Sequence, residues 1–119
     1  MSSVEDSLGR LLDVPGITGA ALVDAVTGLT YGEVGEGGTD AVECSRFAAS
    51  LGDRLHAAGA QGDLESVVVT GSRYQLVLRV LPRQGDALLL TARLERGRAN
   101  LAMALHQLGL YSIEAGGAA

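Results

Sequence analysis

Residues Leu64 to Leu94 read LESVVVTGSRYQLVLRVLPRQGDALLLTARL. Apolar and β-branched runs are broken by two turn signals, which predicts three short strands in a meander. The first signal, Thr70-Gly71-Ser72-Arg73, centres on a Gly-Ser pair and suits a two-residue type II′ hairpin. The second is Arg83-Gln84-Gly85-Asp86, just after Pro82. Each strand is apolar on both faces instead of alternating apolar with polar, so the sheet needs cover above and below. The expectation is a sheet between layers of helix, with little room for an aqueous active site.

Upstream, Gly59 ends a long helix that runs to about Ala58. Thr39 is its expected N-cap, with Asp40 and Glu43 in the first turn. Gly35-Glu36-Gly37-Gly38 is a connector. Ile17 to Asp24 and Leu29 to Val34 flank a Thr27-Gly28 turn and predict a first hairpin, whose small Gly19, Ala20 and Ala21 let a helix pack closely. Ser2 or Ser3 caps a short opening helix carrying Val4, Leu8, Leu11 and Leu12 on one stripe, and Val14-Pro15-Gly16 stops it. Downstream, a helix from about Arg98 to Leu108 carries Leu101, Leu105 and Leu108, with Gly109 as its end. Asn100 reads as a local cap; an exposed contact is the competing reading. The order α-ββ-α-βββ-α predicts an α+β fold, a five-stranded antiparallel sheet with helices on both faces. It forms a single domain over residues 1–119, with a core from about 4 to 110 and a tail from 111.

At 119 residues, with one Phe, three Tyr and no Trp, the core must be aliphatic. No apolar run approaches the ~18 residues of a membrane span. The opening MSSVEDSLGR has neither a basic nor an apolar signal region, so the expected location is cytoplasmic, without membrane insertion. One cysteine, Cys44, rules out an internal disulfide and a cysteine-based zinc site. A net charge of −5 argues against nucleic acid as a partner. All nine basic residues are Arg, as the codon bias of a GC-rich genome would produce.

Chemistry-bearing motifs are missing. Gly32 to Gly38 lacks the Lys-Ser/Thr of a phosphate loop, and its two glutamates would repel a phosphate. His56 and His106 lie far apart on different helices, and no cluster has metal-ligand spacing. Cys44 falls on an apolar helix face, and Asp63, Glu65 and Asp86 read as isolated carboxylates. No catalytic residue, cofactor or metal is expected.

Surfaces say more. On a helical wheel Cys44, Phe47, Ala48, Leu51, Leu55 and Ala58 form the core stripe of the long helix, while Glu43, Arg46, Ser50, Asp53, Arg54 and Ala57 form a polar face. Arg46 and Arg54 suit an acidic partner, although a solvated face is the competing reading. Between the two faces runs a strip of mostly small residues, Val42, Ser45, Ala49, Gly52 and His56, which reads as either a solvated flank or a helix-helix contact. In the meander, the last strand belongs beside the first hairpin, leaving Leu64 to Thr70 at the edge. An edge bearing Val67-Val68-Val69 without Lys or Pro should be covered or paired. The expected contact is a homodimer through Val67, Val68 and Val69 with Val42, Ala49, Gly52 and His56.

Three strings, PGITGAALVDAVTGLTYGEV (Pro15 to Val34), ESVVVTGSRYQLVLRVL (Glu65 to Leu81) and GRANLAMALHQL (Gly97 to Leu108), together with the element order, resemble the Roadblock / dynein light chain family in its short bacterial form. The resemblance spans about residues 4 to 110. It implies a homodimer built through the third strand and long helix, with ten strands in one sheet. It also implies a Ras-like small GTPase as partner in a bacterial signalling system, bound without an inserted arginine finger. Carried over, the partner-binding surface is Glu43, Arg46, Ser50, Asp53, Arg54 and Ala57. This helix departs from the pattern in being rich in Ala, Ser and Gly. The rival class is a small-ligand sensor of PAS or profilin-like architecture, which would need a cavity with convergent polar groups.

Overall fold

Capping and turn chemistry set the element boundaries. In the computed structural model, which describes residues 3–36, 40–60 and 62–111, Ser3 accepts from the Asp6 amide while the Asp6 carboxylate accepts from the Ser3 amide. This reciprocal box opens α1 (Val4–Gly9), which tightens into a 3₁₀ turn, Arg10–Asp13. A hairpin follows, β1 (Ile17–Asp24) and β2 (Thr30–Gly35). Then come α2 (Ala41–Ala57), the meander β3 (Ser66–Thr70), β4 (Tyr74–Leu81) and β5 (Leu88–Glu95), and α3 (Leu101–Leu110). The five strands form one antiparallel sheet in the order β2-β1-β5-β4-β3. The α+β fold, the element order and the central place of β5 match the expectation.

Period-two alternation along β5 divides the core between two layers. Leu88, Leu90, Ala92 and Leu94 point to the side of α1 and α3, where they meet Leu8, Leu11, Ala104 and Leu108. Leu89 points the other way, to Val23 and Leu78 under Cys44 and Ala48 of α2. Burying such a leucine stabilises the fold by about 1.5–3 kcal/mol, and β5 buries four of them, Leu88, Leu89, Leu90 and Leu94. That loading is why β5 reads as a continuous apolar run and lies at the sheet's centre.

The α1/α3 face is sealed by polar contacts as well. Ser7 and the Tyr111 hydroxyl share a buried hydrogen bond of 3.1 Å. The Arg79 guanidinium donates through one nitrogen to the carbonyls of Leu108 (3.2 Å) and Tyr111 (3.1 Å). A cation under the last carbonyls of α3 satisfies groups that a helix end otherwise leaves unpaired. Tyr111 is therefore a core residue, not the start of a tail.

Several expectations are corrected. The first meander turn is not type II′: Gly71 has no positive φ, its amide donates to the Tyr74 carbonyl at 2.9 Å, and the turn's tip is Ser72-Arg73. Asp40, not Thr39, caps α2, accepting from the Glu43 amide at 3.1 Å; Thr39 lies outside the described residues. Helix α3 starts at Leu101, where Asn100 caps it through the Met103 amide, and runs on through Gly109 to Leu110. Packing carried that glycine past its propensity cost. Gly19 is small for a different reason from helix packing: a Cβ there would stand 2.3 Å from the Glu36 carbonyl oxygen.

Asp24 closes the β1–β2 turn by accepting from the amides of Val26 (2.8 Å) and Thr27 (2.9 Å). The Thr27 and Val26 amides hold its carboxyl below the usual carboxylate range, against an opposing effect of desolvation. A carboxylate lowered by folding stabilises the fold above its unfolded pKa, and that contribution disappears as pH falls through the folded value. Asp24→Asn keeps an acceptor oxygen but removes the charge. At neutral pH it should melt below wild type, and the gap should close once pH falls below the usual carboxylate range. Parallel melting curves at pH 7 and in strong acid check this.

Candidate interaction surface

Helix α2 is held firmly at both ends. After the Asp40 cap, Arg54 and His56 occupy the last turn, favourably for the helix dipole. At the far end Gly59, at φ +82°, closes a Schellman motif: its amide donates to the His56 carbonyl (3.0 Å) and that of Ala60 to Leu55 (3.2 Å). A helix so fixed presents its faces in defined directions.

Of its 17 residues, α2 buries only Cys44, Ser45 and Ala48. Ser45, expected on the flank, is buried and bonds back to the Val42 carbonyl at 2.8 Å. Phe47, expected in the core stripe, is exposed at 41%. Leu51 and Leu55 are half-buried, and Ala58 is exposed. The buried stripe is thus rotated toward Ser45, because α2 lies on the sheet by its smallest side chains. Phe47 falls beside Glu43, Ser50 and Arg54 by helical spacing, where no sequence pattern had placed an aromatic.

The polar face stands as expected: Glu43, Arg46, Ser50, Asp53, Arg54 and Ala57 are all exposed. Arg46 pairs with Glu43 at 3.4 Å, but both side chains are about 70% exposed (74% and 69%), so the pair contributes little. In the strip, Val42, Ala49 and His56 are exposed and Gly52 is half-buried.

Strand β3 is the sheet edge. The Glu65 carbonyl accepts from the Val80 amide (2.8 Å), and the Gly71 amide donates to Tyr74 (2.9 Å). Backbone groups alternate in direction along an antiparallel strand. Residues 65, 67, 69 and 71 therefore turn toward β4, and Ser66, Val68 and Thr70 turn outward. Val67 is half-buried under the α2 layer, whereas Val68 (38%) and Val69 (41%) are exposed. The structure places this strand and α2 on one side of the molecule, with Val67 and Cys44 bordering the same cluster.

Other chemistry is sparse. Burial, then the nearby charges of Asp40 and Glu43, push the Cys44 thiol up from its ordinary pKa, which keeps it protonated and unreactive. Among the described residues, no three His, Cys, Asp or Glu side chains gather as a metal site needs. No described helix is long and apolar enough to cross a membrane. A surface groove of about 610 Å³ runs along Asp63, Leu64, Glu65 and Pro82, and Arg79, the one cation among the described residues that line it, is already engaged by the Leu108 and Tyr111 carbonyls.

No family model and no curated protein matches the sequence. Solved structures do match. The chain superposes on a Roadblock/LC7 domain from Streptomyces avermitilis with a TM-score of 0.68 at 22% identity, over 92% of this chain and 91% of that one. Its fold is the Roadblock/LC7 fold. Roadblock relatives in shape include Myxococcus xanthus MglB, with a TM-score of 0.75 at 15% identity over 95% of this chain and 81% of that one. The gliding protein MglB of Thermus thermophilus gives 0.70 at 15% identity over 98% and 90%. Identities this low alongside near-complete coverage mean that the shape of the scaffold is shared along almost the whole chain while few residues are.

Proposed function

We propose that this chain is a non-enzymatic, cytoplasmic homodimer that binds and regulates a Ras-like small GTPase in a bacterial signalling system. One observation carries the reading: a valine edge strand with outward backbone groups lies beside a 17-residue helix that buries only three of its residues. A second copy covers both features at once. Strand β3 meets its twin through Val67, Val68 and Val69, and Val42, Ala49, Gly52 and His56 line the helix contact. The Roadblock fold, shared with the MglB structures, supports a regulator.

The GTPase then docks on the doubled polar face, Glu43, Arg46, Ser50, Asp53, Arg54 and Ala57. Phe47 adds the aromatic anchor that the sequence reading lacked, and anchors of this kind, with arginine, concentrate binding energy. The test is co-purification from the native host followed by titration of the recovered GTPase. Reversing Arg46 and Arg54 together to glutamate should weaken binding by on the order of tenfold to a hundredfold, with helix content unchanged by circular dichroism. Undiminished affinity removes those arginines from the site, and recovery of no GTPase at all overturns the regulator reading.

A further inference from the structure

We propose that one end of the sheet, rimmed by Arg73, Arg93, Arg96 and Arg98, is a docking surface for a short acidic segment of a partner protein. It is distinct from the β3 edge and from the polar face of α2.

The first observation is where the arginines gather. From Arg73 onward the chain holds six of its nine arginines and three of its fourteen acids. Codon bias accounts for arginine in place of lysine, not for this segregation. Four of the six meet where the β3–β4 turn lies against the turn that leaves β5. The Arg96 amide donates to the Arg73 carbonyl (2.9 Å) and the Arg96 guanidinium to the Gly71 carbonyl (3.2 Å), which ties the two turns together. Arg98 follows in the same turn as Arg96. Arg93 stacks on the Tyr74 ring, its guanidinium carbon 3.9 Å from the centroid, and Tyr74 is the register partner of Glu95.

The second is how little compensates them. Arg73, Arg96 and Arg98 are exposed and Arg93 is half-buried. The acid among them, Glu95, takes only Arg98, at 3.7 Å with both side chains well exposed, so that pair contributes little. Arg79 and Arg83, the other two of the six, are engaged elsewhere, on the Leu108 and Tyr111 carbonyls and on the Asp86 carbonyl and Tyr31 hydroxyl. In a chain of net charge −5 this end is therefore a cationic island. Its like charges repel one another, and a bound anion relieves that repulsion.

Geometry selects the kind of anion. By strand alternation Arg93 lies on the α2 side of the sheet with Leu76 and Leu89, and Arg96 follows Leu94 toward the side of α1 and α3. The cations thus straddle a rim and do not share a plane. A flat anionic surface meets one side of such a rim and is repelled by the acids on the rest of the molecule. A polypeptide passing over the rim brings carboxylates to both sides in turn, and forked guanidiniums bind carboxylates in pairs of hydrogen bonds. Tyr74, 41% exposed, offers the same segment an apolar seat.

The test uses the full ¹⁵N-labelled chain and hexaglutamate as the probe, followed by amide shifts at about 20 mM salt, where screening is weak. Saturable shifts should fall on residues 71–74 and 93–98. Arg73→Glu with Arg98→Glu should weaken binding at least about tenfold. Should that variant lose its circular dichroism, wild type decides, because raising salt to about 200 mM should weaken binding several-fold. Absent shifts, shifts centred on Arg46 and Arg54 of α2, or affinity indifferent to salt overturn the proposal. Equal saturation of the same amides by inorganic phosphate replaces the acidic segment with a free oxyanion. Co-sedimentation with phosphatidylglycerol vesicles that the double reversal abolishes replaces it with a membrane. A changed sedimentation of the double variant on its own assigns the rim to contact between copies. Each of these last three also overturns the proposal.

Discussion

Replacing Gly16 with alanine should destabilise the protein by about 3 kcal/mol or more, from two additive causes. Gly16 sits at φ +90°, where an L-residue costs about 1–2 kcal/mol. A Cβ there would also stand 2.4 Å from the Ala99 Cα and 2.6 Å from its nitrogen. Those are backbone atoms just ahead of the Asn100 cap, so they cannot swing aside as a side chain would. Moving them strains the bond from the Glu95 amide to the Gly16 carbonyl (2.7 Å) and shifts the base of α3. The expected drop in melting temperature is roughly 10 °C or more for a domain of this size. Gly85→Ala is the control: φ there is +87°, but a Cβ meets nothing within 4 Å. It should lose only about 1–2 kcal/mol. Equal losses at the two sites would mean that the Ala99 contact yields without cost.

Val68→Lys should abolish dimerisation at working concentrations, weakening it at least about a hundredfold, or roughly 3 kcal/mol. In the proposed pairing of β3 with its twin through Val67, Val68 and Val69, the middle residue Val68 lies at or beside the two-fold axis, next to its counterpart. The substitution removes the apolar contact there and sets like charges directly opposite, which a strand pair does not tolerate. Val68 is already 38% exposed in the single chain, so the monomer should keep its fold and melting temperature. Sedimentation velocity of the variant beside wild type decides the matter. A Val68→Lys chain that still sediments as a dimer rules out pairing through β3 and moves the proposed interface elsewhere on the molecule.

The strands of the meander were legible because runs such as Val67-Val68-Val69 and Leu88-Leu89-Leu90 have no other use in a chain this short. Caps were legible to within a residue, since Ser3, Asp40 and Asn100 each act on an amide three positions along. Polar residues of α2 were correctly placed outside because charged side chains stay in water whichever way the helix lies. The buried stripe was misread, however, and with it Phe47. Two candidate stripes lie within a fraction of a turn on this helix. Which one is buried depends on how closely α2 sits on the sheet, a distance set by Ala21, Val23 and Leu89 of other elements.

Arg79 shows the same limit. In Leu78-Arg79-Val80 it is a charge inside an apolar strand, and nothing local says that the end of α3 will supply two carbonyls for it. Likewise Arg96 reads as an unrelated charge until the sheet order brings the end of β5 near the β3–β4 turn, where its guanidinium donates to the Gly71 carbonyl.

The sequence by itself determined the elements, their order, the covered sheet and the unprotected valine strand, because periodicity, capping and turn chemistry act over a few residues. Only the tertiary structure decided which face of α2 is buried, where Phe47 points and which carbonyls Arg79 satisfies. Those depend on contacts between segments far apart in the chain, and they define the surface on which the proposed function rests.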